Sequence, residues 1–254
     1  MTEVVDDFVT LCMLVHGEEG SGKSWLGQST PEPRLVLDAE GGSRVPWRAI
    51  DGEGVRQRKT VWNPRRDDPP DEGKWQTCNV EVRDFDDVEA AYVWLQSGDH
   101  PFRSVVLDSV TEIQQRCKDQ IGGTNSLRIQ DWDLMLIRMA DVCRKMRDLT
   151  WHPTNPLDAV VFLALSVQKN KKMRASVQGG LGIALPGYVD LEGYLYVEEY
   201  EDDKYRRRLL IHPMEEYAAK DRTHVLTQHF GKAIINPDVE SMLNILNDED
   251  EGEN

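Results

Sequence analysis

Short apolar runs alternate with stretches of helical periodicity along most of the chain. The first run covers residues 11–15 and ends in a glycine-rich turn, and further runs of this kind are found at residues 35–37, 80–82, 105–107 and 160–165. Runs that are apolar throughout are typical of parallel strands buried on both faces. The pattern therefore predicts an α/β fold with a mostly parallel central sheet flanked by helices.

The clearest helical pattern lies in residues 131–149. Apolar side chains recur there every three or four positions, at Trp132, Met135, Leu136, Met139, Cys143, Met146 and Leu149. This spacing predicts a helix that packs on the sheet through one apolar stripe. Two other segments, 86–89 and 109–112, have the spacing of a capping box and predict two further helix starts.

The pattern becomes alternating towards the C-terminus. Residues 194–200 and 206–211 alternate around the polar turn 201–204 and predict an antiparallel hairpin that extends the sheet. Residues 44–75, rich in proline and charge, predict an irregular insertion. Residues 248–254 form an acidic tail that we expect to be disordered, so residues 1–247 are predicted to form a single domain.

Composition restricts the class of protein. The chain contains 39% hydrophobic residues, but no long uncharged apolar stretch that could cross a bilayer. Acidic residues occupy the N-terminal segment, where a secretory signal requires basic and then apolar residues. The four cysteines are far apart and form no metal-binding or disulfide pattern. We therefore expect a cytoplasmic protein with no membrane partner.

The strongest chemical pattern follows the first predicted strand and leads into a predicted long helix. It fits G-x-x-x-x-G-K-[ST] and reads Gly17, Glu18, Glu19, Gly20, Ser21, Gly22, Lys23, Ser24. Glycines allow backbone N–H groups to face phosphate oxygens, Lys23 can reach the β and γ phosphates, and Ser24 can ligate Mg²⁺. The sequence therefore predicts a site for ATP and Mg²⁺. The alternative, a chance glycine-rich turn, does not explain the flanking strand.

Two other predicted strands end in carboxylates at the same edge of the sheet. Asp108 follows the run 105–107, in the arrangement that places an acid beside the magnesium shell. Glu40 follows the run 35–37 and could position and activate the attacking water. The alternative for this second strand end is that Asp38 caps a helix and Glu40 is solvated.

These motifs resemble the RecA-like recombinase superfamily, in particular compact phage-encoded Sak-type single-strand annealing ATPases. The similarity lies in the glycine-rich loop, the V-L-D-A-E-G-G segment at 36–42, the V-V-L-D-S-V segment at 105–110, and Gln168 at a predicted strand end. It covers roughly residues 11–246 and implies a RecA-like P-loop NTPase core. It also implies that Glu40 is the catalytic glutamate and that Gln168 senses the γ-phosphate.

The resemblance further implies two loops that contact single-stranded DNA. Residues 122–130, with Arg128, correspond to the first loop, and residues 169–182 to the second. The second has suitable chemistry, because it combines three glycines with the cations Lys169, Lys171, Lys172 and Arg174. The formal net charge of −15 means that any such contact must be local. A mobile surface loop is the alternative.

A K-x-R element near the C-terminus, Lys220 with Arg222, looks like the one through which RecA-like ATPases reach a neighbouring subunit's γ-phosphate. It implies a homo-oligomer, either a ring or a filament, with ATP at the subunit interfaces. A simple charged turn is the alternative.

Three functions are compatible with these residues. The resemblance favours an ATPase that binds single-stranded DNA and promotes annealing or strand exchange in recombination. A RecA-like helicase or other DNA motor is the second possibility. The third is a DNA-binding module that nucleotide merely organises, without significant turnover, and Glu40 argues against it.

Overall fold

The computed structural model describes residues 9–42, 58–71, 73, 75–123, 127–201 and 204–248. The strands in these residues are β1 (Leu11–Gly17), β2 (Arg34–Asp38), β3 (Lys59–Val61), β4 (Thr77–Glu81), β5 (Ser104–Asp108), β6 (Ala159–Lys169), β7 (Lys172–Ala175), β8 (Leu191–Glu201), β9 (Lys204–Leu210), β10 (Lys220–Asp221) and β11 (Ala233–Ile235). The helices are α1 (Lys23–Gly27), α2 (Phe85–Ser97), α3 (Val110–Gly122), α4 (Ile129–Asp148), α5 (Leu181–Tyr188), α6 (Val225–Phe230) and α7 (Val239–Asp248), with a 3-10 helix at Leu149–Trp151.

The strands form one sheet in the order β11-β9-β8-β1-β6-β5-β2-β4-β3, with β10 beside β8 and β7 beside β6. The strands from β8 to β3 in this order pair in parallel, whereas β9 and β11 are antiparallel. The predicted fold class and the C-terminal hairpin, β8–β9, are therefore confirmed.

Both faces of the sheet are covered, as the apolar strands predicted. On one face Leu14, Leu107 and Phe162 belong to a core that includes residues of α2, α3, α4 and α5. On the other face Met13 and Val161 pack in a second core with residues of α1, α6 and α7. Because side chains alternate along a strand, every strand residue in the centre meets one of these two layers.

The long helix α4 confirms the prediction from its apolar stripe. Met135, Met139, Cys143 and Met146 are fully buried, whereas Leu136 only packs against the margin of the core. The stripe is thus a packing surface. The start at Ser109 is also confirmed, since the Ser109 hydroxyl caps α3 by accepting from the Glu112 amide at 3.4 Å.

Three local expectations are wrong. Helix α1 has only five residues, since Pro31 and Pro33 closely follow it and cannot continue a helix. Helix α2 begins two residues earlier than predicted, because Asp84 rather than Asp86 is its cap. Part of the predicted insertion is ordered as strand β3 at the edge of the sheet, while residues 43–57 lie outside the described residues, as does 249–254 of the tail.

The predicted second DNA loop is in fact a β-hairpin followed by a helix. Strand β6 continues beyond the parallel sheet and returns as β7 through a two-residue turn at Asn170 and Lys171. Both turn residues have positive φ, 52° and 63°, which suits the right-handed twist of a tight hairpin. The lysines of this segment are therefore positioned by the pairing of β6 with β7 rather than by a glycine-rich mobile loop.

His16, at the end of β1, is a buried polar residue with both ring nitrogens satisfied. Its Nε2 donates to the carbonyl of Ala218 at 2.9 Å, and its Nδ1 lies 2.9 Å from the Ser166 hydroxyl. Burial lowers the pKa of His16 from 6.5 to about 4, against the opposing effect of the Ala218 carbonyl. The ring is therefore neutral in the folded protein at neutral pH.

We expect this histidine to make the fold acid-sensitive. Because its pKa is lower in the folded than in the unfolded chain, its contribution is complete above pH 6.5 and is lost as the pH falls towards 4. By pH 4.5 the free energy of unfolding should have decreased by about 2 to 3 kcal/mol from this residue alone. Urea unfolding at pH 7 and 4.5 should show that the free energy of unfolding of His16→Gln decreases by that amount less than the free energy of unfolding of the wild type. An equal loss in both proteins would contradict the assignment.

None of the helices in the described residues combines the length and the apolar character that a bilayer crossing requires.

Candidate nucleotide-binding site

The glycine-rich loop lies at the carboxyl end of β1, in the centre of the sheet. Residues 18–22 form the turn between β1 and α1, with positive φ at Gly20 and Gly22, 76° and 97°. Gly17 is closely packed, because a Cβ atom there would stand 2.5 Å from the Leu195 carbonyl oxygen of β8. Glycine is thus required at Gly17 for close approach and is favoured at the other two positions by the backbone conformation.

Lys23 folds back into this loop. Its Nζ donates to the carbonyls of Gly17 and Glu18, at 3.1 Å and 2.9 Å, and the residue is buried. Burial lowers the pKa of Lys23, an effect opposed by the charges of Glu40 and Asp108. The ammonium group is held at the mouth of the loop by two carbonyls that a phosphate oxygen could replace.

Asp108 ends β5 next to the loop, as predicted. Its Oδ1 is buried and has no hydrogen-bond partner among the described residues. Burial raises the pKa of Asp108 to about 6, and a hydrogen bond from Ser24 opposes that shift. An acid in such an environment is poised to receive a cation.

Magnesium fits this pair of residues. Mg²⁺ in phosphate sites is usually held by one or two protein oxygens together with substrate phosphates and water. The unpartnered oxygen of Asp108 and the hydroxyl of Ser24 supply such oxygens. When bound, the metal would neutralise charge on the β and γ phosphates of ATP.

Glu40 lies at the neighbouring strand end and is exposed at the edge of the cleft. Its Oε1 accepts a hydrogen bond from the hydroxyl of Ser109, the residue that follows Asp108. Asp38 accepts from the Gly41 amide at 2.7 Å and therefore holds the turn that carries Glu40. The alternative of an Asp38 cap with an exposed Glu40 also fits the described residues, and the segment that would continue its helix lies outside them. The contact of Ser109 with Glu40 was not anticipated from the sequence.

A cleft of about 240 Å³ lies between the loop and the strand ends. Its lining residues are Glu19, Gly20, Gly22, Lys23, Ser24, Trp25, Glu40 and Leu165. Leu165 stands at the register position of Gly17 on β6. The predicted nucleotide residues therefore meet at one edge of the sheet.

Gln168 lies apart from this lining. It is exposed on the projecting part of β6, opposite Met173 of β7, three residues beyond Leu165. Its role as a γ-phosphate sensor stays a prediction. The hairpin also carries Lys169, Lys171, Lys172 and Arg174, none of which forms an ion pair within the described part of the chain.

Arg128, by contrast, forms an ion pair with Asp131. It caps the first turn of α4, and its guanidinium forms two hydrogen bonds with the Asp131 carboxylate, at 2.9 Å and 3.0 Å. Residues 124–126 of the predicted first DNA loop lie outside the described residues. The assignment of Arg128 to DNA binding stays a prediction.

The K-x-R element lies towards the amino ends of the parallel strands, because β10 pairs with the start of β8. The glycine-rich loop lies at their carboxyl ends. Lys220 donates to the carbonyls of Pro186 and Val189 at the end of α5. Arg222 donates to the Gly187 carbonyl at 2.9 Å and pairs with Asp190 at 3.2 Å. Both side chains thus stabilise the end of a helix in their own chain, and their role towards a neighbouring subunit stays a prediction.

A cation from the C-terminal hairpin also reaches the loop, and sequence reasoning missed it. The Arg207 guanidinium lies over the ring of Trp25, 4.9 Å from its centroid. The alternation along β9 could have indicated which face Arg207 takes, but not that this face meets the loop.

A comparison with family models gives one match, to the model described as an AAA domain, over residues 10–223. This range contains the loop and the strand-end acids and covers well over half of the chain. No curated protein matches the chain.

Proposed function

This chain belongs to the AAA domain family, and we propose that it is a magnesium-dependent ATPase that binds single-stranded DNA and promotes annealing or strand exchange. The family membership supports a P-loop ATPase in general. The observation that carries the catalytic part is that Lys23 and Glu40 line one cleft, while the charges of both Glu40 and Asp108 act on the Lys23 ammonium.

The cleft contains the groups that phosphoryl transfer to water requires. Backbone amides of the loop and the Lys23 ammonium offset negative charge on the phosphates, while Ser24 and Asp108 are suited to hold Mg²⁺. Glu40 accepts a proton from the attacking water. The water oxygen forms a bond to the γ-phosphorus, and the bond between the γ-phosphorus and the bridging oxygen breaks, so that ADP leaves. Ser109 positions the carboxylate by donating to it.

The DNA part of the proposal depends on the β6–β7 hairpin. It presents three lysines and an arginine on two paired strands, beyond the carboxyl ends of the strands that carry the nucleotide cleft. Cations that form no close ion pair among the described residues are suited to phosphate contacts along a single strand. Strand β6 also contributes Leu165 to the cleft, and it therefore provides a physical route by which DNA could affect turnover.

ATP turnover by the purified protein, measured with and without single-stranded DNA, tests the proposal. We expect magnesium-dependent phosphate release that DNA stimulates, together with faster annealing of complementary strands. Turnover that DNA does not stimulate would support the ATPase activity and contradict the proposed role of DNA. Robust ATP-driven displacement of a strand from a duplex would instead favour a motor.

Removing two hairpin cations should weaken DNA binding in a salt-dependent way. Each lost phosphate contact lowers the slope of log affinity against log salt by about 0.7 on single strands, so the double variant Lys171→Ala, Lys172→Ala should lose about 1.4. The matched control is Lys145→Ala with Lys204→Ala, which removes the same charge from two exposed ion pairs elsewhere. A slope equal to that of the control would reject the hairpin as the DNA site.

A further inference from the structure

Strand β9 carries three consecutive arginines whose surroundings differ. Arg206 and Arg208 both bind Glu198 on β8, at 2.6 Å and 2.9 Å. Arg207 lies between them and, because side chains alternate along a strand, points to the opposite face. Among the described residues it forms no ion pair with a carboxylate.

The side chain of Arg207 is packed directly on the glycine-rich loop. A Cβ atom added to Gly22 would stand 2.2 Å from its Nε and 2.8 Å from its Cδ. Nε is buried and has no hydrogen-bond partner in the described part of the chain. The guanidinium lies over Trp25, the residue after Ser24. A cation that is partly withdrawn from water therefore contacts Gly22 of the loop and Trp25 of α1.

The backbone of Arg207 is fixed as well. Its N–H donates to Oδ1 of Asn236 at 3.2 Å, and its carbonyl accepts from the Asn236 amide at 2.8 Å. The position of the arginine over Gly22 is therefore set by the sheet rather than by a flexible loop.

A partly desolvated guanidinium without an ion-pair partner is stabilised when an anion completes its surroundings. The anion expected at Gly22 is a nucleotide phosphate, and a guanidinium is suited to phosphate oxygens in geometry and charge. We propose that Arg207 binds a phosphate of the nucleotide from within the same chain, which attaches the β8–β9 hairpin to the occupied loop. This inference rests on the proposed ATP site and adds a ligand-binding residue to it.

The test compares Arg207→Gln with Arg206→Gln, a control one residue away on the same strand. Binding of MgATP and of magnesium tripolyphosphate, which has no base or sugar, is measured by titration calorimetry. Loss of a charge-assisted hydrogen bond should weaken both ligands by about 10- to 100-fold in Arg207→Gln. The affinity of Arg206→Gln should be unchanged. Equal affinity in both variants would overturn the proposal, as would a loss confined to ATP with tripolyphosphate binding intact.

The second variant, Arg207→Met, separates charge from packing. Methionine retains an unbranched apolar stem over Gly22, so its melting temperature should stay near that of the wild type while both affinities fall as in Arg207→Gln. Affinities at the wild-type level in Arg207→Met would show that only packing matters and would overturn the proposal. If the wild-type protein binds neither ligand, the proposed ATP site itself fails, which is a different result from wild-type binding that Arg207 does not affect.

Discussion

Replacing Lys23 with alanine should weaken MgATP binding and abolish measurable turnover. The Lys23 ammonium is buried at the mouth of the loop, where it donates to two loop carbonyls and faces the charges of Glu40 and Asp108. A preorganised donor in such a water-poor site contributes about 100- to 1,000-fold to the rate. Titration calorimetry with MgATP and a phosphate-release assay measure the two effects.

The matched control for this variant is Lys145→Ala. Lys145 is an exposed lysine of α4 that pairs with Asp141 one turn away, so its loss changes net charge equally without touching the cleft. Its turnover should equal that of the wild type. Retention of more than about a tenth of the wild-type turnover by Lys23→Ala would be incompatible with the proposed site.

The second large effect is expected for Glu40→Gln, which should separate binding from chemistry. Glutamine keeps the size of the side chain and can still accept from Ser109, but it cannot take a proton from water. General-base catalysis contributes typically about 100- to 10,000-fold, so kcat should fall within that range. The affinity for MgATP should remain within about threefold of the wild type, because the glutamate contacts the water rather than the phosphates.

Single-turnover measurements with saturating MgATP and single-stranded DNA distinguish the chemical step from product release. Glu199→Gln, at an exposed position of the β8–β9 hairpin, is the control for loss of one carboxylate. Full turnover in Glu40→Gln would remove the glutamate from catalysis, whereas a wild-type protein that binds MgATP without turnover would favour a module in which nucleotide only organises the protein.

The parts of the site that are local in sequence could be predicted, and those that depend on tertiary contacts could not. The loop from Gly17 to Ser24 and the strand-end position of Asp108 follow from a short pattern next to an apolar strand. The contact between Ser109 and Glu40 joins residues 69 positions apart and required the pairing of β2 with β5. Arg207 is more remote in sequence still, since it reaches the loop from β9.

Errors in the fold came from competing local signals. Glycines after residue 175 suggested a loop, whereas the pairing of β6 with β7 and the turn at Asn170 and Lys171 determine the conformation. The prolines at positions 31 and 33 indicate that α1 is short, whereas the nucleotide motif before them predicts a long helix. Helix α2 shows that spacing alone locates a cap to within two residues when several aspartates stand together.

Strand β6 is continuous over 11 residues, from the hydrophobic centre of the sheet to the tip of the basic hairpin. Beside the nucleotide cleft it is joined to the strand that leads into the loop, both by parallel pairing and by the contact between His16 and Ser166. The same strand therefore connects the basic hairpin to the nucleotide cleft without an intervening loop. We expect that, if a ligand of the hairpin changes the affinity of the loop for nucleotide, nucleotide changes the affinity of the hairpin for that ligand by the same factor, as thermodynamic reciprocity requires.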